Sequence, residues 1–309
     1  MNLFNKVIKN LRIHVYPRIP IIGKHLQYLR LTKTTYEPGH YYSPVVTNAE
    51  IGDRLDSIFG YQKDTIQGIT LNKEKQMQLL SQMLPFYPPP FSNHKTTRYR
   101  YHYINDYYPH SDAIFLYLVL RNFRPARVVE VGSGYSSAVM LDTNEHYLNG
   151  QTQFTFIEPF PNRLYSLLGE EDKKNNRIEE KKVQDADIKI FDELEENDIL
   201  FIDSSHVSKT GSDVNYLLFE VLPRLKKGVL IHFHDVFFPF EYPKHWVTSF
   251  YKGFGWNEAY LLRSFLMYNN SFEIILFNTF LQKFNEAWFK ENMPLTLEGT
   301  GGSIWIKKI

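Results

Sequence analysis

From Arg124 to the C-terminus, short apolar runs alternate with stretches of helical character, and this alternation constrains the fold of the 309-residue chain more than any other feature. It is typical of a mostly parallel sheet with helices on both faces. Seven strands are predicted, within residues 128–131, 154–157, 178–183, 199–202, 229–233, 272–277 and 303–306. Helices are predicted over residues 136–147, 161–168, 188–194, 213–225, 258–266 and 279–288. The pattern therefore indicates a Rossmann-like α/β domain.

The first 123 residues follow no such pattern, because prolines interrupt every long element. Helical spacing is confined to residues 71–83 and 112–122. We therefore expect an irregular, partly helical N-terminal extension or cap over residues 1–110 and the Rossmann-like domain over residues 111–309.

Composition excludes several classes of function. The net charge of +1 argues against nucleic acid as a partner. The absence of cysteine excludes disulfides, thiolate metal sites and cysteine nucleophiles, and it is compatible with the reducing cytoplasm. No apolar run is long enough to span a bilayer. Residues 1–33 contain seven basic and no acidic residues, so they can form either a peripheral contact with anionic lipid or a strap against the domain.

A glycine-containing turn follows the first predicted strand and opens a helix, with the sequence VEVGSGYSS over residues 129–137. Gly132 and Gly134 permit torsions and close approaches that side chains would block, and such a turn presents backbone N–H groups to a ligand. Glu130, at the end of the strand, can hold an ammonium group. Glu158, after the second strand, is placed to bind ribose hydroxyls. Ser137 occupies the position of the third glycine of the dinucleotide fingerprint, which argues against a nicotinamide cofactor.

Residues from about 101 to 309 resemble the class I S-adenosylmethionine-dependent methyltransferases, and especially a bacterial subgroup that acts on sugars, polysaccharides and secondary metabolites. The stretch from Glu130 to Gly134 is similar to the first motif of the family, and Glu158 to its second-strand acid. The resemblance implies S-adenosylmethionine as the cofactor, with the methionine portion lined by Gly132, Ser133 and Gly134. It also implies a sheet whose last strand is antiparallel. The predicted cofactor-binding residues are Glu130, Gly132, Ser133, Gly134, Glu158, Asp185 (at the adenine) and Asp203.

Polar side chains follow the fourth and fifth strands, as Asp203-Ser204-Ser205-His206 and His232-Phe233-His234-Asp235. Carboxyl ends of parallel strands meet at one edge of a sheet, so we expect these groups to share one cleft. There they either exchange protons or bind a divalent metal through Asp203, His234 and Asp235. His234-Asp235 departs from the acid–amide pair of the metal-dependent catechol-type enzymes, which puts magnesium in doubt.

We predict that His206 is the general base, because it follows Asp203 by three residues and imidazole titrates near neutrality. His234 is the second candidate, and Asp235 completes the predicted catalytic set. His232 alternates away from the cleft and is predicted to be a packed histidine. The segment 98–112 is predicted either to close over the cofactor or to pack on the sheet as an aromatic strap.

The sequence thus predicts methyl transfer to a small-molecule or glycan acceptor. Two alternatives stay open at this point: a nicotinamide-dependent oxidoreductase on a related sheet, and a non-catalytic module that keeps the fold and binds a partner. A metal-dependent hydrolase that uses Asp203, His206, His234 and Asp235 is a third, but it leaves the glycine turn unexplained.

Overall fold

The computed structural model describes residues 36–248 and 255–309, which fall into two units. The smaller unit contains the described residues up to Gly60 together with Lys244–Thr248 and Gly255. The larger contains Tyr61–Pro243 and Trp256–Ile309. The predicted lipid contact of residues 1–33 lies outside the described residues. In the described part of the chain, no helix has the length and hydropathy that a membrane crossing requires.

The larger unit is built on a seven-stranded sheet with the order β3-β2-β1-β4-β5-β7-β6. Its strands are β1 (Arg127–Val131), β2 (Gln153–Ile157), β3 (Arg177–Glu179), β4 (Ile199–Ile202), β5 (Leu230–His234), β6 (Phe272–Phe277) and β7 (Ser303–Lys308). Strands β1 to β5 pair in parallel, whereas β7 is antiparallel to both of its neighbours, β5 and β6. The predicted mostly parallel sheet with an antiparallel last strand is confirmed.

The strands β4 and β5 lie inside the sheet and are covered on both faces. Every residue of β4 and of β5 is buried. His232 on β5 is buried as predicted: its ring stacks on that of Phe201 (centroids 3.9 Å apart) and meets that of Trp305 edge-on (4.6 Å). Burial lowers the pKa of His232 well below its ordinary value, so this histidine is a neutral core residue.

The helices of the smaller unit are short: α1 (Asn48–Ile51), α2 (Leu55–Phe59) and α10 (Lys244–Thr248). Those of the larger unit are α3 (Lys73–Met83), α4 (His110–Phe123), α5 (Tyr135–Tyr147), α6 (Asn162–Leu167), α7 (Glu170–Asn175), α8 (Lys189–Asp192), α9 (Asp213–Tyr216), α11 (Glu258–Leu266), α12 (Asn278–Phe284) and α13 (Glu286–Asn292). Helix α7 is absent from the prediction, because its run of charged residues carries no apolar period.

Two predicted helices are interrupted. The stretch 213–225 is α-helical only in α9, and it continues as a π-helical segment (Leu217–Val221) and a 3-10 turn (Leu222–Arg224). Pro223 lacks the N–H that a continuing α-helix needs. The stretch 279–288 is divided by Asn285, which has the non-helical angles φ −135° and ψ 34°. These interruptions lie outside the strand ends that form the site.

Residues 61–110 belong with the sheet, although the sequence places them in an N-terminal extension. Gln76 on α3 is fully buried and its side-chain oxygen accepts a hydrogen bond (2.7 Å) from the backbone N–H of Phe277. Arg100 reaches three carboxylates at 2.7–2.8 Å, on Asp142, Glu145 and Asp172. Helix α3 and the segment around Arg100 are therefore fixed to the sheet unit by side-chain contacts that the local sequence pattern does not reveal.

Candidate active site

The turn after β1 is shaped by close contact between two strand ends. Gly132 has φ +84°, and a Cβ atom placed there would lie 1.7 Å from the carbonyl oxygen of Asp203. The backbone N–H of Gly132 donates to the carbonyl of Ile157 (3.0 Å), and that of Asp203 donates to the carbonyl of Val131 (2.8 Å). Only glycine fits this position, and the ends of β1, β2 and β4 are thereby held together.

A cavity of about 480 Å³ opens at this edge of the sheet. Its volume is in the range of small-molecule cofactor pockets. It is lined by backbone and side chains from four loops, which include Gly132, Glu158, Gln184, Asp203 and Asp213. A smaller cavity of about 180 Å³ adjoins it and shares Gly132, Glu158, Asp203 and Ser204 with it. Of the predicted cofactor-binding residues, Gly132, Ser133, Gly134, Glu158 and Asp203 line one or both cavities.

Glu158 lies where a ribose ligand would be expected. One of its oxygens accepts from the backbone N–H of Ser133 (3.1 Å) and the other from that of Phe160 (2.7 Å). The carboxylate is thus directed over the glycine turn and is oriented by backbone donors. Its predicted role toward ribose stays a prediction, and its position is compatible with that role.

Glu130 does not fit the predicted contact with an ammonium group. It is fully buried, and its two oxygens accept hydrogen bonds from the hydroxyl groups of Ser136 and Ser137, each 2.5 Å away. It lines neither cavity. Burial raises its pKa to about 8, so Glu130 is mostly protonated at neutral pH. We therefore correct its role: Glu130 fixes the start of α5 beneath the glycine turn.

Asp185, predicted to contact adenine, is exposed and is absent from the lining of both cavities. Its neighbour Gln184 lines the larger cavity. The amide nitrogen of Gln184 donates to the carbonyl of Gly211 (2.7 Å), whereas its amide oxygen is buried without a hydrogen-bond partner among the described residues. Buried acceptors are usually paired, so Gln184 is the better candidate for this contact. In the short 3-10 turn Val183–Asp185, the adjacent side chains of Gln184 and Asp185 point in different directions, and sequence spacing alone does not predict which one faces the cavity.

His206 stands between three carboxylates. Its Nε2 atom lies 3.3 Å from Oδ1 of Asp203 and 3.8 Å from Oδ2 of Asp235. Its Nδ1 atom lies 2.8 Å from Oε2 of Glu258, a residue of α11 that the sequence analysis does not single out. His206 and Glu258 are 4% and 2% exposed, so the pair is shielded from water. The predicted association of Asp203, His206 and Asp235 is present, and Glu258 completes it.

The backbone of His206 is also constrained. Its φ is +58°, in the left-handed region that is uncommon for residues other than glycine. Its carbonyl accepts hydrogen bonds from the backbone N–H groups of Asn257 (3.0 Å) and Glu258 (3.2 Å), and its ring lies 4.2 Å from that of Trp256. Strained torsions that are stabilised by several contacts are typical of functional sites.

The acid–imidazole contacts perturb the proton affinity of this group. Burial alone would lower the pKa of His206, but hydrogen bonds to Asp203 and Glu258 and their charges outweigh it and raise the pKa well above the ordinary value. For Asp203 the net shift is opposite: burial would raise its pKa, but the charges of His234 and His206 outweigh burial and lower it. The two carboxylates that flank His206 therefore stabilise its imidazolium form.

His234 and Asp235 lie beside this pair but form looser contacts. Nε2 of His234 is 3.7 Å from Oδ1 of Asp235, and Nδ1 of His234 is buried with no partner among the described residues. Asp235 has φ +55°. Burial would lower the pKa of His234, but the charges of Asp235, Asp203 and Asp112 raise it. Burial raises the pKa of Asp235 itself.

The predicted metal ligands do not converge on one point. In the part of the chain that the structure describes, no three His, Asp or Glu side chains are arranged to hold a metal ion. Asp203 and Asp235 instead face the imidazole of His206. The set of Asp203, His234 and Asp235 therefore does not fit a divalent cation in this arrangement, and no step below involves one.

The segment 98–112 packs on the sheet unit and also reaches the smaller cavity, and its predicted closure over the cofactor stays a prediction. Tyr101 is buried against the sheet unit, as a strap would be. The side-chain oxygen of Asn105 accepts from the backbone N–H groups of Tyr107 (3.0 Å) and Tyr108 (2.7 Å), which turns the chain back toward the glycine loop. There the ring of Tyr107 stacks on that of Tyr135, with centroids 6.0 Å apart. Tyr107 and Tyr108 line the smaller cavity.

Comparison with known proteins agrees with this picture. A protein family described as a methyltransferase domain matches residues 129–236, which include the glycine turn and both polar strand ends. An uncharacterized protein of Archaeoglobus fulgidus is 31% identical over 166 residues, covering 52% of this chain and 75% of that protein.

Two solved structures are similar at lower identity. The apo structure of CmcI-N160 has 19% identity and a TM-score of 0.33, covering 41% of this chain and 52% of that one, so the match spans about half of its length. The methyltransferase PaMTH1 of Podospora anserina, bound to S-adenosylhomocysteine, has 14% identity and a TM-score of 0.42, covering 86% of this chain and 99% of that one.

The family match covers the segment that carries the glycine turn, Glu158, Asp203 and His206, and the observed sheet ends in the antiparallel strand that the resemblance implies. The chain therefore contains a methyltransferase domain over residues 129–236, in a sheet with the antiparallel last strand of the Rossmann-like methyltransferase fold.

Proposed function

We propose that this protein transfers the methyl group of S-adenosylmethionine to an oxygen atom of a small molecule or glycan, with His206 accepting the proton of the acceptor. The observation that carries the proposal is the buried Glu258–His206 pair, whose Nε2 atom faces Asp203 at the rim of the cofactor cavity.

When bound, S-adenosylmethionine supplies an electrophilic methyl group on a sulfonium. A nucleophile attacks the methyl carbon in line with the S–C bond and displaces the sulfur. The oxygen of the acceptor forms the new C–O bond as the S–C bond breaks and S-adenosylhomocysteine leaves, and the O–H proton passes to Nε2 of His206 in its neutral form. A hydroxyl group gains from such a base, because its own pKa is high. A neutral amine attacks with its lone pair and has less need of one, so the base favours an oxygen acceptor.

The cofactor contacts that we propose divide between the two cavities. Glu158 would bind the ribose hydroxyls, and Gln184 would accept from the exocyclic amino group of adenine, in place of Asp185. The backbone of Gly132, Ser133 and Gly134 would line the methionine portion. These assignments are supported by the residues that line the cavities and by the unpaired amide oxygen of Gln184.

The acceptor is tested by measuring formation of S-adenosylhomocysteine with a panel of phenols, monosaccharides and oligosaccharides. His206→Ala is expected to lower turnover about 100-fold or more at pH 8. His146→Ala is the matched control, because His146 lies on α5 outside both cavities and should retain full turnover. Unchanged turnover in His206→Ala would reject the base. Cofactor binding without turnover on any acceptor would favour the non-catalytic module.

We also propose that the protein works in a bacterial cytoplasm, for which the cysteine-free composition is suitable. Contact of residues 1–33 with a membrane surface is a separate proposal, supported by their seven basic residues. Sedimentation of the full chain with vesicles containing anionic lipid, and with neutral vesicles as the control, would test it. Binding to neither kind of vesicle would reject the contact.

A further inference from the structure

Arg163, on α6, is a cation whose charge acts on Asp203 and contributes to lowering the pKa of that carboxyl group. Its side chain lines the smaller cavity, together with the acids Glu158 and Asp203. No salt bridge joins it to a carboxylate of residues 36–248 or 255–309, whereas Arg100, Arg127, Arg177 and Arg224 of the same unit each have one. Among the described residues that line this cavity, it is the one that carries a positive charge.

The guanidinium group is nevertheless held in a defined place. Its Cζ atom lies 3.6 Å from the centroid of the Tyr107 ring, which itself stacks on Tyr135. On the other side, the glycine turn approaches it closely: a Cβ atom at Gly134 would lie 3.1 Å from Cδ of Arg163. Stacking on an aromatic face leaves the edge of a guanidinium free to donate two parallel hydrogen bonds to a carboxylate.

The smaller cavity differs from the larger one in its chemistry. The cofactor is a nucleoside at one end and an amino acid at the other, with a sulfonium and an ammonium that are cationic and a carboxylate that is anionic. Glu158 and Asp203 suit the cationic groups, but they repel a carboxylate. Ser133 lines the same cavity, and its hydroxyl is buried with no hydrogen-bond partner among the described residues. An unpaired buried hydroxyl beside an arginine that forms no salt bridge with the described residues points to an anionic ligand group.

We infer that Arg163 binds the α-carboxylate of the cofactor, with Ser133 as a second donor and Tyr107 as the residue that positions the guanidinium. The inference rests on the proposed cofactor site and assigns its amino-acid end to the smaller cavity.

The test is calorimetry on the full chain with two ligands: S-adenosylhomocysteine, and 5′-methylthioadenosine, which lacks the amino-acid portion. Arg163→Met is expected to weaken binding of S-adenosylhomocysteine about 10-fold, because one charge-assisted pair at a partly exposed site is removed. Binding of 5′-methylthioadenosine should change less than about twofold, since that ligand has no carboxylate to lose. Tyr107→Ala should give a smaller loss that is again confined to S-adenosylhomocysteine.

Arg98→Met is the matched control, because Arg98 also lies over a tyrosine ring (Tyr99, 5.2 Å) but lines neither cavity. It should leave both affinities unchanged. Equal losses for the two ligands in Arg163→Met, or no loss for either, would overturn the inference while the cofactor site stands. Failure of the unmodified protein to bind either ligand would instead refute the proposed function, and the inference with it.

Discussion

Replacing Gly132 with alanine should lower both the stability of the fold and the affinity for the cofactor. The same substitution at Gly150 is a control for the cost of placing alanine at a positive φ. Both glycines have positive φ, +84° and +68°, so both alanine variants bear the cost of the left-handed region, about 1 kcal/mol. They differ in their surroundings. A Cβ atom at Gly150 meets nothing within 4 Å, whereas one at Gly132 would lie 1.7 Å from the backbone oxygen of Asp203.

This overlap cannot be relieved by a rotamer change, because the atom that it meets belongs to the backbone. Overpacking of this kind costs about 1–3 kcal/mol, so Gly132→Ala should lower the free energy of unfolding by about 2–4 kcal/mol and Gly150→Ala by about 1 kcal/mol. Relief also requires the end of β4 to move, which displaces Asp203 from the cavity. We therefore expect at least a 10-fold loss of S-adenosylhomocysteine affinity in Gly132→Ala and none in Gly150→Ala.

Urea unfolding followed by circular dichroism gives the two free energies, and calorimetry gives the affinities. Equal destabilisation by the two substitutions, with cofactor affinity retained in both, would refute the argument that the contact between the ends of β1 and β4 shapes the site.

Three further predictions concern charged groups. Because the pKa of His206 is raised, the fraction of its base form, and with it the rate of methyl transfer, should still be rising in the alkaline range. Glu258→Gln removes a charge that raises this pKa, so the rise in rate should move to lower pH. A rate that is flat from pH 6 to 9 would contradict this. The pKa of Glu130 is 4.5 in the unfolded chain and about 8 in the folded state, so between these pH values the folded state binds more protons than the unfolded chain. The free energy of unfolding should therefore fall by up to about 1.4 kcal/mol for each unit by which the pH rises. Glu130→Gln should remove that part of the slope in urea titrations at pH 6 and 8, and an unchanged slope would refute the assignment. Arg100→Met leaves the buried carboxylate of Asp142 without its cation and should cost about 3–5 kcal/mol in thermal or urea unfolding, whereas a cost under about 1 kcal/mol would show that the pair is not structural.

The sheet could be predicted from the sequence because its strands are apolar runs bounded by turns, and because the antiparallel last strand follows from the family resemblance. Strands β4 and β6 begin and end at the predicted residues. The glycine turn could also be predicted from the sequence, because a backbone contact requires glycine at position 132 and the motif therefore contains it. The strand-end acids and imidazoles followed from the rule that carboxyl ends of parallel strands share one edge.

Side-chain direction was harder to predict. Glu130 sits at the end of a strand, as an ammonium ligand would, but Ser136 and Ser137 turn it inward. Asp185 and Gln184 are adjacent in sequence, and only the geometry of their 3-10 turn decides which one faces the cavity. Such differences arise from local torsions rather than from residue type.

Partners that are distant in sequence could not be predicted at all. Glu258 lies 52 positions from His206, and an acid at the start of a helix is too common to signal an orienting role. Arg163 follows Glu158 closely, but its stacking on Tyr107 depends on the turn made by Asn105. The direction of the carboxylates of Asp203 and Asp235, which face His206, could not be predicted from the sequence either.

The central claim is that the two adjoining cavities at the ends of β1, β2 and β4 bind S-adenosylmethionine, and calorimetric titration of the full chain with S-adenosylhomocysteine tests it most directly. We predict saturable binding of one ligand per chain, weakened at least about 10-fold by Glu158→Ala, which removes the proposed bidentate contact with the ribose. The absence of binding by the unmodified chain, or an affinity that Glu158→Ala leaves unchanged, would contradict the account.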